Sequence, residues 1–258
     1  MKTKSLSIFL VALFVVEMNL GTEEDNNENK KGEDFKYEIV KDNLLKYDFT
    51  LKMILIGDSN VGKSALIEKI FQDKFSEDYK RTPGVKYFIL GFNIVSDEDK
   101  PVLIYQIWSC GGDEKYRGLI KLFYQNVRVC LLAYDVTNEK SFNDINGWVN
   151  DVKDKNTDKT IHFVLIGTKI DLKDNRKVPK EAGENFAKTN NMRFVEVSAK
   201  TGDGIKELEN ILAKIIYEEF NKEKKKVEDD SEGDFIVGEK PTHSRSLCDC
   251  CKEICDNC

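Results

Sequence analysis

The stretch GDSNVGKS, residues 57 to 64, decides the fold of this chain. It follows the apolar run Leu51–Ile56 and opens a segment with helical spacing, which is the context that the phosphate-binding motif G-x-x-x-x-G-K-[ST] requires. In such a loop the backbone N–H groups and the positive end of the helix dipole surround phosphate oxygens. The alternative is a glycine-containing turn before a helix, with no ligand. Because the strand, the motif and the helix follow one another in the order that this motif requires, the sequence predicts a phosphate-binding loop.

Two side chains of this loop have predicted roles. Lys63 would reach the β- and γ-phosphates of a bound nucleotide, and it is also a candidate catalytic residue. The hydroxyl of Ser64 would bind Mg²⁺. The rest of the predicted phosphate site consists of Asp58, Ser59, Asn60, Val61, Gly62 and Ala65.

Short apolar runs alternate with helical patterns along the chain. The candidate strands are Leu51–Ile56, Tyr87–Val95, Val102–Trp108, Val129–Tyr134, Ile161–Ile166 and Arg193–Val197. The candidate helices are Ser64–Phe71, Ser141–Val152, Pro179–Thr189 and a final one that ends at Phe220. This alternation predicts a three-layer α/β fold with a mostly parallel six-stranded sheet and about five helices. The polar segment SDEDKP, residues 96 to 101, predicts a hairpin that adds one antiparallel edge strand.

A second pair of short motifs indicates which base is bound. TKID, residues 168 to 171, follows the strand FVLIG, and SAK, residues 198 to 200, follows the strand RFVEV. The carboxylate of Asp171 can accept hydrogen bonds from guanine N1–H and its 2-amino group, a donor pair that adenine lacks. Lys169 would lie over the base, and the N–H of Ala199 would meet the guanine carbonyl. The predicted base site consists of Thr168, Lys169, Asp171, Leu172, Ser198, Ala199 and Lys200.

The composition excludes several other classes of function. With 40% hydrophobic and 33% charged residues, the 258-residue chain can fold around a real core. Its net charge of −6 gives no reason to expect a nucleic acid as partner. It has only two histidines, so a catalytic triad or a zinc hydrolase site based on histidine is not expected.

These motifs together resemble a known family. From about Tyr47 to Phe220 the chain is similar to a Ras-superfamily small GTPase, and most similar to the Rab family. The resemblance is carried by YDFTLKMILIGDSNVGKS, FSEDYKRTPGVKYFIL, EKYRGL and LLAYDVTNEKSFNDINGW. It implies a G domain over residues 47–220 that binds GTP and GDP as a molecular switch in intracellular vesicle trafficking. It also implies an exchange factor, a GTPase-activating protein and effectors as partners.

The resemblance assigns roles in the first switch. Phe75 would stack beside the base, Tyr79 would close over the phosphates, and Thr82 would bind Mg²⁺ and sense the γ-phosphate. Thr168 stands where the Rab motif has Asn, as it does in the related Rho and Rac branch. Pro83 stands where Rabs usually carry Ile, and it fixes φ and pushes Thr82 toward extended geometry.

The second switch departs from the family. Where the family has Asp-Thr-Ala-Gly-Gln, this chain has Ser109, Cys110, Gly111, Gly112 and Asp113. Ser109 brings no charge to the metal site, and Asp113 is shorter than Gln and charged; the N–H of Gly112 can still meet the γ-phosphate. We expect slow or partner-dependent hydrolysis of GTP, with Asp113, Lys63 and Gly112 as the catalytic candidates. The alternative is a nucleotide-loaded binding module that has lost hydrolysis. A P-loop ATPase or kinase is the alternative outside this family.

The N-terminal region gives conflicting signals. Residues 1–21 have the charge-then-apolar order of a signal peptide, and residues 22–46 form an acidic stretch that we expect to be a disordered linker. The apolar segment has three interpretations: a secretory signal, an uncleaved segment on the membrane surface, or an extension from a wrongly chosen start codon. A secretory signal contradicts the nucleotide motifs.

Residues 221–258 are expected to form a flexible hypervariable tail that ends in a cysteine cluster. Lipidation of Cys250, Cys251, Cys255 and Cys258 would attach the protein to the cytoplasmic face of endomembranes. Their spacing does not match the usual Rab ending, and zinc binding or a disulfide cluster are the alternatives.

Overall fold

The protein is described here by a computed structural model that covers residues 35–40, 46–77, 84–113, 117–156 and 160–232. The strands within these ranges are β1 (Tyr37–Val40), β2 (Phe49–Ile56), β3 (Val85–Ile94), β4 (Val102–Cys110), β5 (Val129–Asp135), β6 (His162–Thr168) and β7 (Arg193–Val197). The helices are α1 (Lys63–Gln72), α2 (Arg117–Ile120), α3 (Glu139–Asn143), α4 (Ile145–Lys155), α5 (Lys180–Thr189) and α6 (Ile205–Glu232).

All of these strands join one sheet in the order β1-β3-β4-β2-β5-β6-β7. The neighbouring strands β4, β2, β5, β6 and β7 are parallel to one another. β3 runs antiparallel to β4, and β1 runs antiparallel to β3. The predicted α/β fold and the β3–β4 hairpin are therefore confirmed. The sheet has seven strands in this part of the chain, one more than the sequence predicted.

The additional strand is β1, which forms the antiparallel edge expected of β3. It lies inside the stretch 22–46, for which we expected a disordered linker, and that expectation is wrong for residues 37–40. Tyr37 and Ile39 alternate along it and pack against the core, and the ring of Tyr37 meets Phe92 edge-on at 5.5 Å. The apolar side chains of this segment, which its acidic composition obscured, therefore help to hold it against β3.

Helices cover both faces of the sheet. On one face α1 and α6 bury Leu66, Ile70, Leu208, Leu212 and Ile215 against β2, β3 and β4. On the other face α4 contributes Ile145, Trp148, Val149 and Val152. Every residue of the central strand β5 is buried, as the continuous apolar run predicts for a parallel strand covered on both sides.

Two helices differ from their predicted extents. The segment predicted as one helix, Ser141–Val152, is divided at Asp144 into α3 and α4. Helix α6 continues through Glu232, so the flexible tail expected from residue 221 is wrong for residues 221–232. Lysine and glutamate are good helix formers, and they extend the helix after its apolar stripe has ended. None of the helices that the structure describes is long and apolar enough to cross a membrane.

Candidate functional site

The candidate site is a cavity of about 590 Å³ lined by residues from the loops that follow β2, β4, β6 and β7. In an open parallel sheet, ligands bind outside the carboxyl ends of the strands, because the connecting loops and helix N-termini meet there. The motifs found in the sequence all lie at strand ends, so the topology brings them to one edge of the sheet.

The phosphate-binding loop joins β2 to α1 in a conformation that requires glycine at its first position. Gly57 has φ of 140°, and a Cβ there would lie 2.1 Å from the carbonyl oxygen of Ala133. Gly62 has φ of 96° and precedes the first helical residue, Lys63. The backbone thus turns tightly enough to leave the start of α1 facing the cavity.

Lys63 is buried, and its ammonium group bonds only to backbone within the described structure. Nζ donates to the carbonyl oxygens of Gly57 at 2.7 Å and Asp58 at 2.6 Å. Burial lowers the pKa of Lys63 to about 8, because the charged form is poorly solvated. A phosphate group entering the cavity would provide the countercharge that this ammonium group lacks.

The base side of the cavity is organised by Ser198. Its hydroxyl donates to the carboxylate of Asp171 at 2.6 Å and accepts from the backbone N–H groups of Lys200 and Thr201. Ser198 is fully buried, so this one side chain holds the loop after β7 against the loop after β6.

Thr168 links the base side to the phosphate-binding loop. Its hydroxyl lies 2.5 Å from the carbonyl oxygen of Val61 and 2.8 Å from that of Tyr134. Lys169, the next residue, has φ of 63°, and its ammonium group pairs with Asp135 at 2.6 Å. A short hydroxyl side chain can therefore join the phosphate loop to the sheet.

The second-switch segment lies against the phosphate-binding loop. A Cβ on Gly112 would lie 2.3 Å from the backbone of Asp58, so only glycine fits this approach. Ser109 is buried at the end of β4, where it pairs with Lys86 of β3. Burial also raises the pKa of the neighbouring Cys110 thiol to about 12, so this cysteine is an uncharged core residue.

The structure brings most of the predicted site residues together. Those that line the cavity are Ser59, Asn60, Gly62, Lys63, Ser64, Ala65, Phe75, Gly112, Asp113, Thr168, Lys169, Asp171, Leu172, Ala199 and Lys200.

Three predicted residues lie behind the cavity wall. The backbone of Val61 and the hydroxyl of Ser198 anchor the loops, whereas the carboxylate of Asp58 turns away and accepts a hydrogen bond from Trp148 at 2.9 Å. Tyr79, Thr82 and the four tail cysteines lie outside the described residues.

Three charged residues that line the cavity were missed from the sequence, and one of them, Glu77, pairs with Lys200 at its rim. Glu68 follows Ser64 by one helical turn, and Lys86 lies on β3. The spacing of four residues could have placed Glu68 near Ser64. Lys86 had no comparable signal, because only the pairing of β3 with β4 brings it to the site.

Comparison with known proteins gives a consistent result. The model of the Ras family matches residues 52–218. The chain is 37% identical over 186 residues to the Ras-related protein RABA4b of Arabidopsis thaliana, a match that covers 72% of this chain and 81% of the relative. It is 32% identical over 176 residues to the human Ras-related protein Rab-8B, covering 68% of this chain and 83% of the relative. A match to the Ras-related protein Rab-13 of Rattus norvegicus is 35% identical over 170 residues, covering 66% and 81%.

Proposed function

Since this chain belongs to the Ras family of small GTPases, we propose that it is a Rab-like switch in vesicle trafficking that hydrolyses GTP slowly. The observation that carries the proposal is that Lys63 and Asp171 line one cavity. One residue is suited to phosphate and the other to guanine, and the loops between them are fixed by Thr168 and Ser198. A guanine nucleotide satisfies both ends of this cavity.

Guanine is favoured over adenine by the chemistry of Asp171. The bond from Ser198 orients its carboxylate, whose remaining lone pairs can accept from the guanine N1–H and 2-amino groups. Adenine offers no such pair of donors, so its binding would leave the carboxylate without partners. Phe75, which is 39% exposed at the cavity rim, provides an apolar surface beside the base.

The residues present fit a Mg²⁺ ion by the chemistry of their donors. Magnesium prefers oxygen ligands, and the hydroxyl of Ser64 lines the cavity directly after Lys63. Thr82 is the proposed second ligand. Ser109, at the end of β4, can accept a hydrogen bond from a metal-bound water. When bound, Mg²⁺ would neutralise charge on the phosphates.

Slow hydrolysis follows from the second switch. Phosphoryl transfer depends on positioning and on neutralisation of charge, because the protein forms no covalent bond to the phosphate. Asp113 lines the cavity with a short, charged side chain, where the family's Gln orients the attacking water. Lys63 would neutralise charge, and the Gly112 N–H would bond the γ-phosphate. The departures at Ser109 and Asp113 should both reduce the rate of hydrolysis more than the affinity for the nucleotide.

A second candidate function is a binding module that carries GTP without cleaving it. The same two residues favour it, because Ser109 cannot supply a charge to the metal site and Asp113 repels a γ-phosphate. On this alternative the nucleotide would only stabilise the fold and the switch segments.

The surface next to the switches suits protein partners. Trp108 contacts Tyr87 at 4.9 Å and Phe123 at 5.0 Å between ring centroids. Tyr87 is 41% exposed, and the nearby Leu122 is 70% exposed. We propose that effectors bind this aromatic cluster and that an exchange factor and a GTPase-activating protein act on the switches.

We further propose that the lipidated cysteines hold the protein on the cytoplasmic face of endomembranes.

A competition experiment tests the choice of nucleotide. Fluorescent GDP bound to the full-length chain should be displaced by GDP and GTP, whereas ATP at the same concentration should not displace it. Displacement by ATP as effective as by GDP would contradict the proposal and favour a P-loop ATPase or kinase.

A further inference from the structure

The strands β3 and β4 present one alternating set of side chains to α1. Leu90, Phe92 and Ile94 of β3 lie in the same buried cluster as Leu103, Tyr105 and Ile107 of β4. Leu66, Ile67 and Ile70 of α1 belong to that cluster too. Because side chains alternate along a strand, residues two positions further along lie on the same face.

Continuing this alternation toward the cavity leads to Lys86 and Ser109. Lys86 precedes Phe88 by two residues, and Ser109 follows Ile107 by two. The two are direct cross-strand partners, so their Cβ atoms lie about 5 Å apart on the α1 side. Lys86 therefore stands beside the position where the family has its metal-site carboxylate.

Helix α1 packs against β3 close to Lys86. Phe71 of α1 contacts Phe88 of β3 at 5.3 Å between ring centroids. On β3, Lys86 precedes Phe88 by two residues and therefore lies on the same face of the strand. On α1, Glu68 and Ser64 precede Phe71 and lie nearer to the cavity. Lys86 lines the same cavity as Lys63 and Ser64.

The charges around Lys86 leave its ammonium group available to a ligand. Lys86 is exposed at the cavity, and no salt bridge involves it within the described part of the chain. Ser109 beside it is neutral. Lys63 and Lys86 lie on the phosphate side of the cavity, and Lys169 and Lys200 on its base side. Glu68 and Asp113 line the same cavity, but the position directly opposite Lys86 has no carboxylate.

We propose that Lys86 binds the nucleotide's phosphate groups and thereby makes nucleotide affinity depend only weakly on Mg²⁺. Its ammonium group supplies part of the positive charge that a metal ion supplies elsewhere in the family, at the strand end where Ser109 weakens the metal site. This inference rests on the proposed guanine-nucleotide function. It concerns a residue to which the resemblance assigned no role.

The test measures the affinity of the full-length chain for fluorescent GDP in excess Mg²⁺ and in excess EDTA. In wild type, the dissociation constant in EDTA divided by the dissociation constant in Mg²⁺ should be below about 10. Lys86→Gln should raise this ratio about 10-fold, because a hydrogen bond to a charged group contributes about 1.5 kcal/mol or more. Lys86→Arg keeps the charge and should behave as wild type.

Lys188→Gln, an exposed lysine on α5, is the matched control for loss of one positive charge. Lys86 is exposed, so its variants should keep the wild-type melting temperature. A wild-type ratio above about 10, or an unchanged ratio in Lys86→Gln, would overturn the inference and leave the proposed function standing. Failure of wild type to bind GDP in either condition would overturn both.

Discussion

The hydroxyl of Ser198 donates a 2.6 Å hydrogen bond to the carboxylate of Asp171, and this bond joins two loops that are distant in sequence. Ser198 is buried and also accepts two backbone N–H groups, so it cannot turn away to another partner. The orientation of the carboxylate is therefore set before any ligand binds. Preorganisation of this kind reduces the cost of ordering the site on binding.

Asp171→Asn should change which base is bound. An amide presents one acceptor and one donor, so it leaves guanine donors unpaired, and GDP affinity should fall by about 100-fold or more. Xanthine, which has a carbonyl in place of the 2-amino group, should bind better than guanine. Fluorescence titration with GDP and xanthosine diphosphate measures both, and Asp174→Asn in the adjoining turn is the control. Equal GDP affinity in Asp171→Asn and wild type would contradict the assignment.

Thr168→Ala should loosen the phosphate-binding loop. The buried hydroxyl bridges Val61 and Tyr134, and its removal leaves buried carbonyl groups with fewer partners, which costs about 1–2 kcal/mol. Both the free energy of unfolding and GDP affinity should decrease. Thr201→Ala removes an exposed hydroxyl from the next loop and is the control for urea unfolding. If the two variants are equally stable, Thr168 does not have the proposed anchoring role.

Binding of GDP should take up protons near pH 8. Burial lowers the pKa of Lys63 to about 8 in the nucleotide-free protein, so about half of the molecules carry a neutral amine at that pH. Phosphate raises this pKa again, and affinity should therefore decline as pH rises above 8. Calorimetry in two buffers of different ionisation enthalpy should find uptake of about half a proton at pH 8 and much less at pH 7. The same uptake at both pH values would show that Lys63 is not responsible.

The ionised carboxylate of Glu219 should stabilise the folded state at neutral pH, and this stabilisation should be lost at low pH. Burial alone would raise its pKa, but hydrogen bonds from Lys222 and His162 and the charge of Arg128 lower the pKa to about 2. The unfolded value is about 4.3, so the contribution is present above that pH and is lost as the pH falls toward 2.

Glu219→Gln should reduce the free energy of unfolding by about 1–3 kcal/mol at neutral pH. The difference from wild type should shrink below pH 4, as measured by urea titration at several pH values. Glu223→Gln, one turn further along α6 and exposed, is the control. A difference that is independent of pH would rule out this explanation.

Much of the site could be predicted from the sequence because strand ends meet at one edge of the sheet. GDSNVGKS, TKID and SAK each follow an apolar strand, and topology places them together without further information. That reasoning recovered Lys63, Asp171 and Ser198. It placed Ser198 in the base site, and the structure shows that its hydroxyl donates to Asp171.

The remaining features depend on register and packing that the sequence does not display. β1 is only four residues long and lies in an acidic stretch, so its three apolar side chains gave no recognisable strand. Lys86 became part of the site only through its pairing with Ser109. The end of α6 was missed because its last turns lack the apolar stripe by which helices are recognised.

The most direct measurement is single-turnover hydrolysis of γ-labelled GTP by the full-length chain with Mg²⁺. Wild type is compared with Ser109→Asp and Asp113→Gln, singly and combined, after each has been shown to bind GTP. Wild type should release phosphate slowly, and the combined variant should be at least about 10-fold faster, because it restores a metal-site carboxylate and a residue that positions water. Hydrolysis by wild type as fast as by the combined variant would contradict the account.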